Sequence, residues 1–138
     1  MISLAELEKE NKEITELCAV LGTLIQDHSL HSNTVVCDLL DRFMSLVNSH
    51  LTHEDRTIYG DLLAKHTAEA DKLASHFLGN TQELKRICKS YKKDWCRTPR
   101  SEEDQDQYTK ESMDIFRLVC DRIEFETSKI FPILKKAA

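Results

Sequence analysis

Only three glycines and two prolines interrupt this 138-residue chain. Hairpins and sheet corners draw on both residue types, so their scarcity argues for long uninterrupted helices and against a β-rich fold. Four stretches carry the apolar spacing that such helices need. The first runs from about Ser3 to His28, with Leu4, Leu7, Ile14, Leu17, Cys18, Leu21, Leu24 and Ile25 on one side. Ser32 or Asn33 can cap the second, whose apolar face holds Val35, Val36, Leu39, Leu40, Phe43, Met44, Leu46 and Val47. Gly60 is a candidate for ending or bending it.

Thr67 can cap a third helix carrying Leu73, Phe77, Leu84, Ile87, Cys88, Tyr91 and Trp95, with Gly79-Asn80 in its middle. Residues 97–106 are polar, include Pro99, and read as a loop leading into a helix. Ser101, followed by Glu102, Glu103 and Asp104, is a cap with an acid-rich first turn, which suits the helix dipole. The fourth helix carries Met113, Phe116, Val119, Cys120, Ile123, Ile130 and Phe131, with Pro132 near its end. Four such helices, each burying one stripe around a single core, predict an all-α fold: an antiparallel up-down four-helix bundle, one domain over residues 1–138.

Composition narrows the function. Hydrophobic residues are 41% and charged residues 31%, and the 19 Lys and Arg are outnumbered by 24 acids for a net charge of −5. A nucleic-acid surface does not fit that balance. No apolar run approaches the roughly 18 residues of a membrane span, and the N-terminus lacks a basic-then-apolar signal, so a cytoplasmic protein is expected. Five cysteines, Cys18, Cys37, Cys88, Cys96 and Cys120, form no CxxC pair. An odd count argues against a disulfide framework and for four core thiols with a more exposed Cys96. Cys96, beside Lys92, Lys93 and Arg97, is the one local candidate for redox reactivity. There is no phosphate-cradling glycine loop and no nucleophile elbow, so no enzymatic activity is expected.

An internal repeat appears at an offset of 72 residues. Phe43, Met44, Leu46, Val47, Leu51, Ile58, Tyr59 and Leu62 align with Ile115, Phe116, Leu118, Val119, Ile123, Ile130, Phe131 and Leu134. In that frame His50 aligns with Arg122 and Glu54 with Glu126. The second and fourth helices are thus counterparts in two related hairpins.

Against this apolar background a few polar residues stand out. At about 100° per residue, His50 and Glu54 fall inside the apolar arc of the second helix, with His53 at its edge. A carboxylate on a core face must be paired, protonated or bound to a cation. A His-x-x-x-Glu pair puts two donors on one helix face, as a metal site in a bundle requires. Glu126 and Arg122 lie on the flank of the fourth stripe, Asn11 on the flank of the first, Asn80 within the third and His76 at its edge. His28, His66 and His76 read more naturally as hydrogen-bonded or half-exposed residues, and His31 as a loop residue.

The run His50-Leu51-Thr52-His53-Glu54-Asp55, followed by Ile58-Tyr59, resembles the second-helix motif of the hemerythrin/HHE cation-binding family. Arg122-Ile123-Glu124-Phe125-Glu126, then Ile130-Phe131-Pro132, is similar to its fourth-helix motif, and Asn11-Lys12-Glu13-Ile14 to its first. The resemblance implies a four-helix bundle built around a non-haem diiron centre. It also implies that His50, Glu54 and Glu126 stand at ligand positions. Asn11 and Arg122 stand where the family has histidines, and His76-x-x-x-Asn80 is the nearest match to a third-helix His-x-x-x-His.

Guanidinium has no lone pair to donate, and asparagine is a weak iron ligand. The ligand set is therefore degenerate. One expectation is a bundle without metal or other cofactor, in which Arg122 bridges Glu54 and Glu126 and the chain acts as a regulatory or interaction module through a protein partner or homodimer. The alternative is retained non-haem iron, mononuclear or dinuclear, or another metal on His50, Glu54 and Glu126. His53, His76 or a thiol would complete that set, and the chain would sense or carry O2, NO or metal. Whether Arg122 turns inward or snorkels to solvent is open at this level.

Overall fold

The computed structural model describes residues 3–94 and 101–135. Helix α1 spans Leu4–Ile25, α2 Thr34–Leu63, α3 Ala68–Asp94 and α4 Glu102–Phe125. A π-helical turn, Glu126–Ile130, continues α4 into a short final helix α5, Phe131–Lys135. Each helix packs on its sequence neighbours, and α4 closes the ring against α1. The result is the expected antiparallel up-down bundle, and no strand occurs among the described residues.

The caps explain most boundaries. Ser3 accepts from the Glu6 N–H, Asn33 from Val35 and Val36, Thr67 from Ala70 and Ser101 from Asp104. In each case a side-chain oxygen satisfies N–H groups that the first helical turn leaves without partners. Helix α1 stops three residues short of His28. Asp27 accepts from both the backbone N–H and the hydroxyl of Ser29, which sets up a separate 3-10 turn, His28–Leu30. His31 does lie in this connection but is buried, its Nε2 2.6 Å from the Ile25 carbonyl that α1 leaves open.

Gly60 does not end α2, which runs three residues past it, and α3 is continuous through Gly79-Asn80. An isolated glycine costs about 1 kcal/mol in a helix, which packing on either side readily offsets. The reversal after α2 comes instead at His66, with a left-handed φ of 55°. Val35, expected in the core, is 67% exposed, because Val36 and Cys37 take the inward positions of that first turn. Trp95, Cys96, Arg97 and Pro99 lie outside the described residues. Cys37 is disulfide-bonded, not a free core thiol; an odd cysteine count excludes a complete pairing but not one bridge. Cys18 and Cys88 are buried thiols, and Cys120 is half-buried.

The interior is not one core but two. One cluster gathers Ile14, Leu21, Leu40, Phe43, Leu84, Tyr91, Tyr108 and Phe116, with Phe43 and Phe116 meeting edge to face at 5.3 Å between centroids. The other gathers Leu7, Ile58, Leu62, Ala74, Phe77, Ile130 and Phe131. Between them, at one level across all four helices, lie the buried polar residues Asn11, His50, Glu54, Thr81, Arg122 and Glu126. Among the described residues, no helix is long and apolar enough to cross a membrane.

Candidate metal centre

The polar layer is built from a few residues per helix. Helix α2 supplies His50 and Glu54, one turn apart on the inward face, 3% and 0% exposed. Helix α4 supplies Arg122, and the π-helical turn that continues it supplies Glu126 with the same spacing, 5% and 0% exposed. Glu126 opens the π-helical turn, its carbonyl accepting from the Phe131 N–H five residues on. The cause is Pro132, which has no N–H and whose ring would press on the carbonyl four residues back in a regular helix. Helix α1 contributes Asn11 and α3 contributes Phe77, Asn80 and Thr81.

Arg122 turns inward. Its Nε donates to Glu126 Oε2 at 2.7 Å and its Nη2 to Glu54 Oε1 at 3.2 Å and Thr81 Oγ1 at 2.6 Å. Its Nη1 donates to Asn80 Oδ1 at 2.7 Å and the Phe77 carbonyl at 3.4 Å. All five guanidinium N–H groups are thus engaged. The plane also lies over the Phe77 ring, Cζ 3.9 Å from its centroid. A buried cation paired with two carboxylates and saturated with hydrogen bonds is the arrangement in which a buried charge is tolerated.

His50 faces the same two carboxylates from the other side. Its Nε2 lies 3.2 Å from Glu54 Oε2 and 3.5 Å from Glu126 Oε1. Each carboxylate therefore divides its oxygens, one to Arg122 and one towards His50. Asn11 Nδ2 donates to Glu126 Oε1 at 3.1 Å. Two buried oxygens in this half of the layer, Glu54 Oε2 and Asn11 Oδ1, have no aligned hydrogen-bond donor. Behind the ring, His50 Nδ1 meets Glu10 Oε1 at 2.7 Å.

Burial by itself would push the His50 imidazolium down, but hydrogen bonds and charge from Glu126 and Glu54 outweigh it and hold its pKa at about 10. Burial, reinforced by Glu126, pushes Glu54 up to about 8. Burial acts upward on Glu126 too, yet Glu54, His50 and Arg122 together hold it down at about 2. Two acids at such close range cannot both ionise freely, so they titrate as a pair with Glu54 high and Glu126 low.

His50, Glu54 and Glu126 form one group whose ligand atoms lie within 4.8 Å of one another. His53 and His76, expected as supplementary ligands, stand outside it. His53 is half-exposed with its Nδ1 3.2 Å from Glu10 Oε2. His76 is exposed on α3, its ring against Phe125 at 5.1 Å. The next residue, Phe77, takes the inward direction, and one step along a helix is about 100° of rotation. Asn80 does reach the layer, as a partner of Arg122. Sequence reasoning misses Thr81 and Glu10. Thr81 carries a signal, because it sits on the stripe of Phe77, Leu84 and Cys88. Glu10 is masked among Glu6, Glu8, Glu13 and Glu16, a run that reads as a solvated face.

The layer does not fit two metals. The second position is taken by the Arg122 guanidinium, and α3 offers Phe77, Asn80 and Thr81 there without an imidazole. It does fit one cation on the His50 side. Ligand atoms about 2.0–2.2 Å from a shared metal lie about 3.0–3.5 Å apart; the two separations from His50 Nε2 match that spacing, and the third, between the carboxylates, is within 4.8 Å.

The model of the hemerythrin HHE cation binding domain matches residues 3–134 of the chain. Neither curated proteins nor solved structures provide a match.

Proposed function

The chain belongs to the hemerythrin HHE cation-binding domain family, and from that premise we propose that it is a non-catalytic regulatory module with a single-cation site. His50 Nε2, Glu54 Oε2 and Glu126 Oε1 would hold the cation, and the Arg122 guanidinium replaces a second metal. The observation that carries this reading is the division of the carboxylate oxygens. Arg122 takes Glu54 Oε1 and Glu126 Oε2, while Glu54 Oε2 is buried without an aligned donor beside His50. Asn11 Oδ1, likewise without a partner, is close enough to serve as a fourth oxygen donor once its amide turns over.

A divalent cation there supplies positive charge that ties α1, α2 and α4 together at the waist of the bundle. Support for a non-catalytic role comes from the pairing within the layer, where Arg122 commits its N–H groups to Glu54, Glu126, Asn80 and Thr81. The output would pass over the bundle surface to a protein partner or to a second copy of the chain. Non-haem iron is the first cation to try, given the family.

One observation favours a second reading, a module that needs no metal. His50, Glu54, Arg122 and Glu126 form a closed square of alternating charge when the imidazole is protonated and Glu54 is ionised. Anaerobic titration with iron(II) or cobalt(II), with metal content measured per chain, separates the readings. One cation per chain, lost in His50→Ala, with no oxo-diiron absorption after exposure to air, supports the single-cation site. Two irons with near-ultraviolet oxo-diiron bands would overturn it, and no uptake would leave the metal-free square.

A further inference from the structure

Glu10 lies outside the group of buried ligand atoms, yet it makes the shortest contact of the His50 ring. Its Oε1 is 2.7 Å from His50 Nδ1, while His53 Nδ1 holds the other oxygen, Oε2, at 3.2 Å. Glu10 is thus clamped between two histidines of α2, reaching across from α1 with its side chain about a quarter exposed. A metal-binding imidazole must present one bare nitrogen, and the hydrogen bond made by the other nitrogen decides which. A carboxylate behind Nδ1 keeps a proton there, so the proton a cation would displace is the one on Nε2, facing Glu54 and Glu126.

We infer that Glu10 is a positioning residue for the cation site: it fixes the Nδ1–H tautomer and the ring orientation of His50, and His53 holds Glu10 in place for that task. The inference rests on the single-cation reading and adds to it a residue that touches no cation. The geometry sets what each substitution removes. Glu10→Ala leaves Nδ1 without an acceptor, so the neutral imidazole is free to carry its proton on Nε2, where it blocks binding. Glu10→Gln keeps an amide oxygen that still accepts from Nδ1–H, so the tautomer survives and only the charge is lost.

The test is cobalt(II) titration of the full chain, followed by absorption and by metal content, for wild type, Glu10→Ala and Glu10→Gln. Removal of such an outer carboxylate weakens metal binding by about tenfold to a hundredfold, and that loss is expected for Glu10→Ala. Glu10→Gln, which restores the acceptor oxygen, should bind more tightly than Glu10→Ala. Circular dichroism should stay unchanged for both, while the unfolding midpoint in chelator should fall for Glu10→Ala, which strands the buried Nδ1–H, and fall less for Glu10→Gln. Long-range nitrogen–proton spectra of the zinc(II)-loaded wild type should show the His50 proton on Nδ1. Wild-type uptake with Glu10→Ala within twofold of it would overturn the role of Glu10 and leave the cation site standing. No uptake by wild type would overturn the cation site and this assignment with it.

Discussion

Arg122 reaches Glu126 within its own helix, Nε to Oε2 at 2.7 Å, and repeats the i, i+4 relation by which His50 Nε2 meets Glu54 Oε2 at 3.2 Å on α2. Each cation also crosses to the other helix's carboxylate, Arg122 to Glu54 at 3.2 Å and His50 to Glu126 at 3.5 Å. The two helical hairpins therefore contribute equivalent halves of one polar layer, which is what the 72-residue offset in the sequence encodes.

Removing Arg122 should be severe. Arg122→Ala strands two buried carboxylates, and breaking a buried pair costs about 3–5 kcal/mol. Arg122→Lys keeps the charge but offers three donors from a single nitrogen in place of a planar five-donor fork. It cannot reach Glu54, Glu126, Asn80 and Thr81 together, so its loss should fall between wild type and alanine. Urea unfolding in chelator measures both, and a loss below about 1 kcal/mol for alanine would sink the network.

The pH dependence of stability in chelator follows from the direction of each shift. His50 is raised from 6.5 to about 10, so its contribution is complete below pH 6.5 and is lost as the pH climbs towards 10. Glu54, raised from 4.5 to about 8, has the same sign, because the fold favours its neutral form. Glu126 has the opposite sign, contributing above 4.5 and losing that contribution as the pH falls towards 2. Unfolding midpoints should therefore fall steadily from pH 6.5 to 10, and His50→Gln should flatten that slope. An alkaline limb equally steep in wild type and variant would remove His50 as its cause.

The helices, their caps and the inward placement of His50 and Glu54 were legible because they depend on local signals, a cap at a fixed offset and a stripe at a fixed period. Arg122 was not, since a flank position with a long side chain permits either burial or solvent, and only α3 decides. The groups that draw the guanidinium inward, Asn80 Oδ1, Thr81 Oγ1 and the Phe77 carbonyl, come from 41 to 45 residues away in sequence. Glu10 was hidden for a related reason. Its partner on α2 lies 40 positions on, and nothing local distinguishes it from its acidic neighbours. His76 failed as a ligand through a rotation of one residue, which periodicity cannot resolve when aromatic and histidine are adjacent.

The free thiols should react in a fixed order. Burial raises the thiol pKa of Cys88 to about 11 and that of Cys18 further, and the thiolate is the reactive form. Among the described free cysteines, Cys18, Cys88 and Cys120, the half-buried Cys120 should be alkylated first in the native protein. Cys18 and Cys88 should react only as the fold opens. Peptide mapping after timed alkylation at about pH 8, close to the ordinary thiol pKa, checks this. Early labelling of Cys18 would contradict the packing of α1 on α4.

Asn33 supplies the cap of the longest helix, its Oδ1 accepting from Val35 and Val36 at 2.9 and 3.2 Å. Asn33→Ala should cost about 1 kcal/mol, within a range of about 0.5–2 for such caps, with no change in cation affinity. Asn33→Gly should cost only a few tenths. Equal losses for the two would mean that backbone conformation, not the side-chain oxygen, sets the start of α2.

Asn11 offers the sharpest separation between a layer that needs a cation and one that does not. It donates Nδ2–H to Glu126 Oε1 at 3.1 Å, and its own Oδ1 is buried without a partner. Asn11→Asp is nearly isosteric but turns the donor into a further carboxylate against Glu126. In chelator the variant should lose at least about 2 kcal/mol, since a hydrogen bond to a charged group is worth about 1.5–3 kcal/mol and repulsion adds to its loss. A cation held between the introduced carboxylate, Glu126 and Glu54 would convert that repulsion into ligation. Cobalt(II) should then raise the unfolding midpoint of the variant by more than it raises that of wild type. If the variant is destabilised in chelator and cobalt(II) restores nothing, the layer is a closed charge network with no place for a metal.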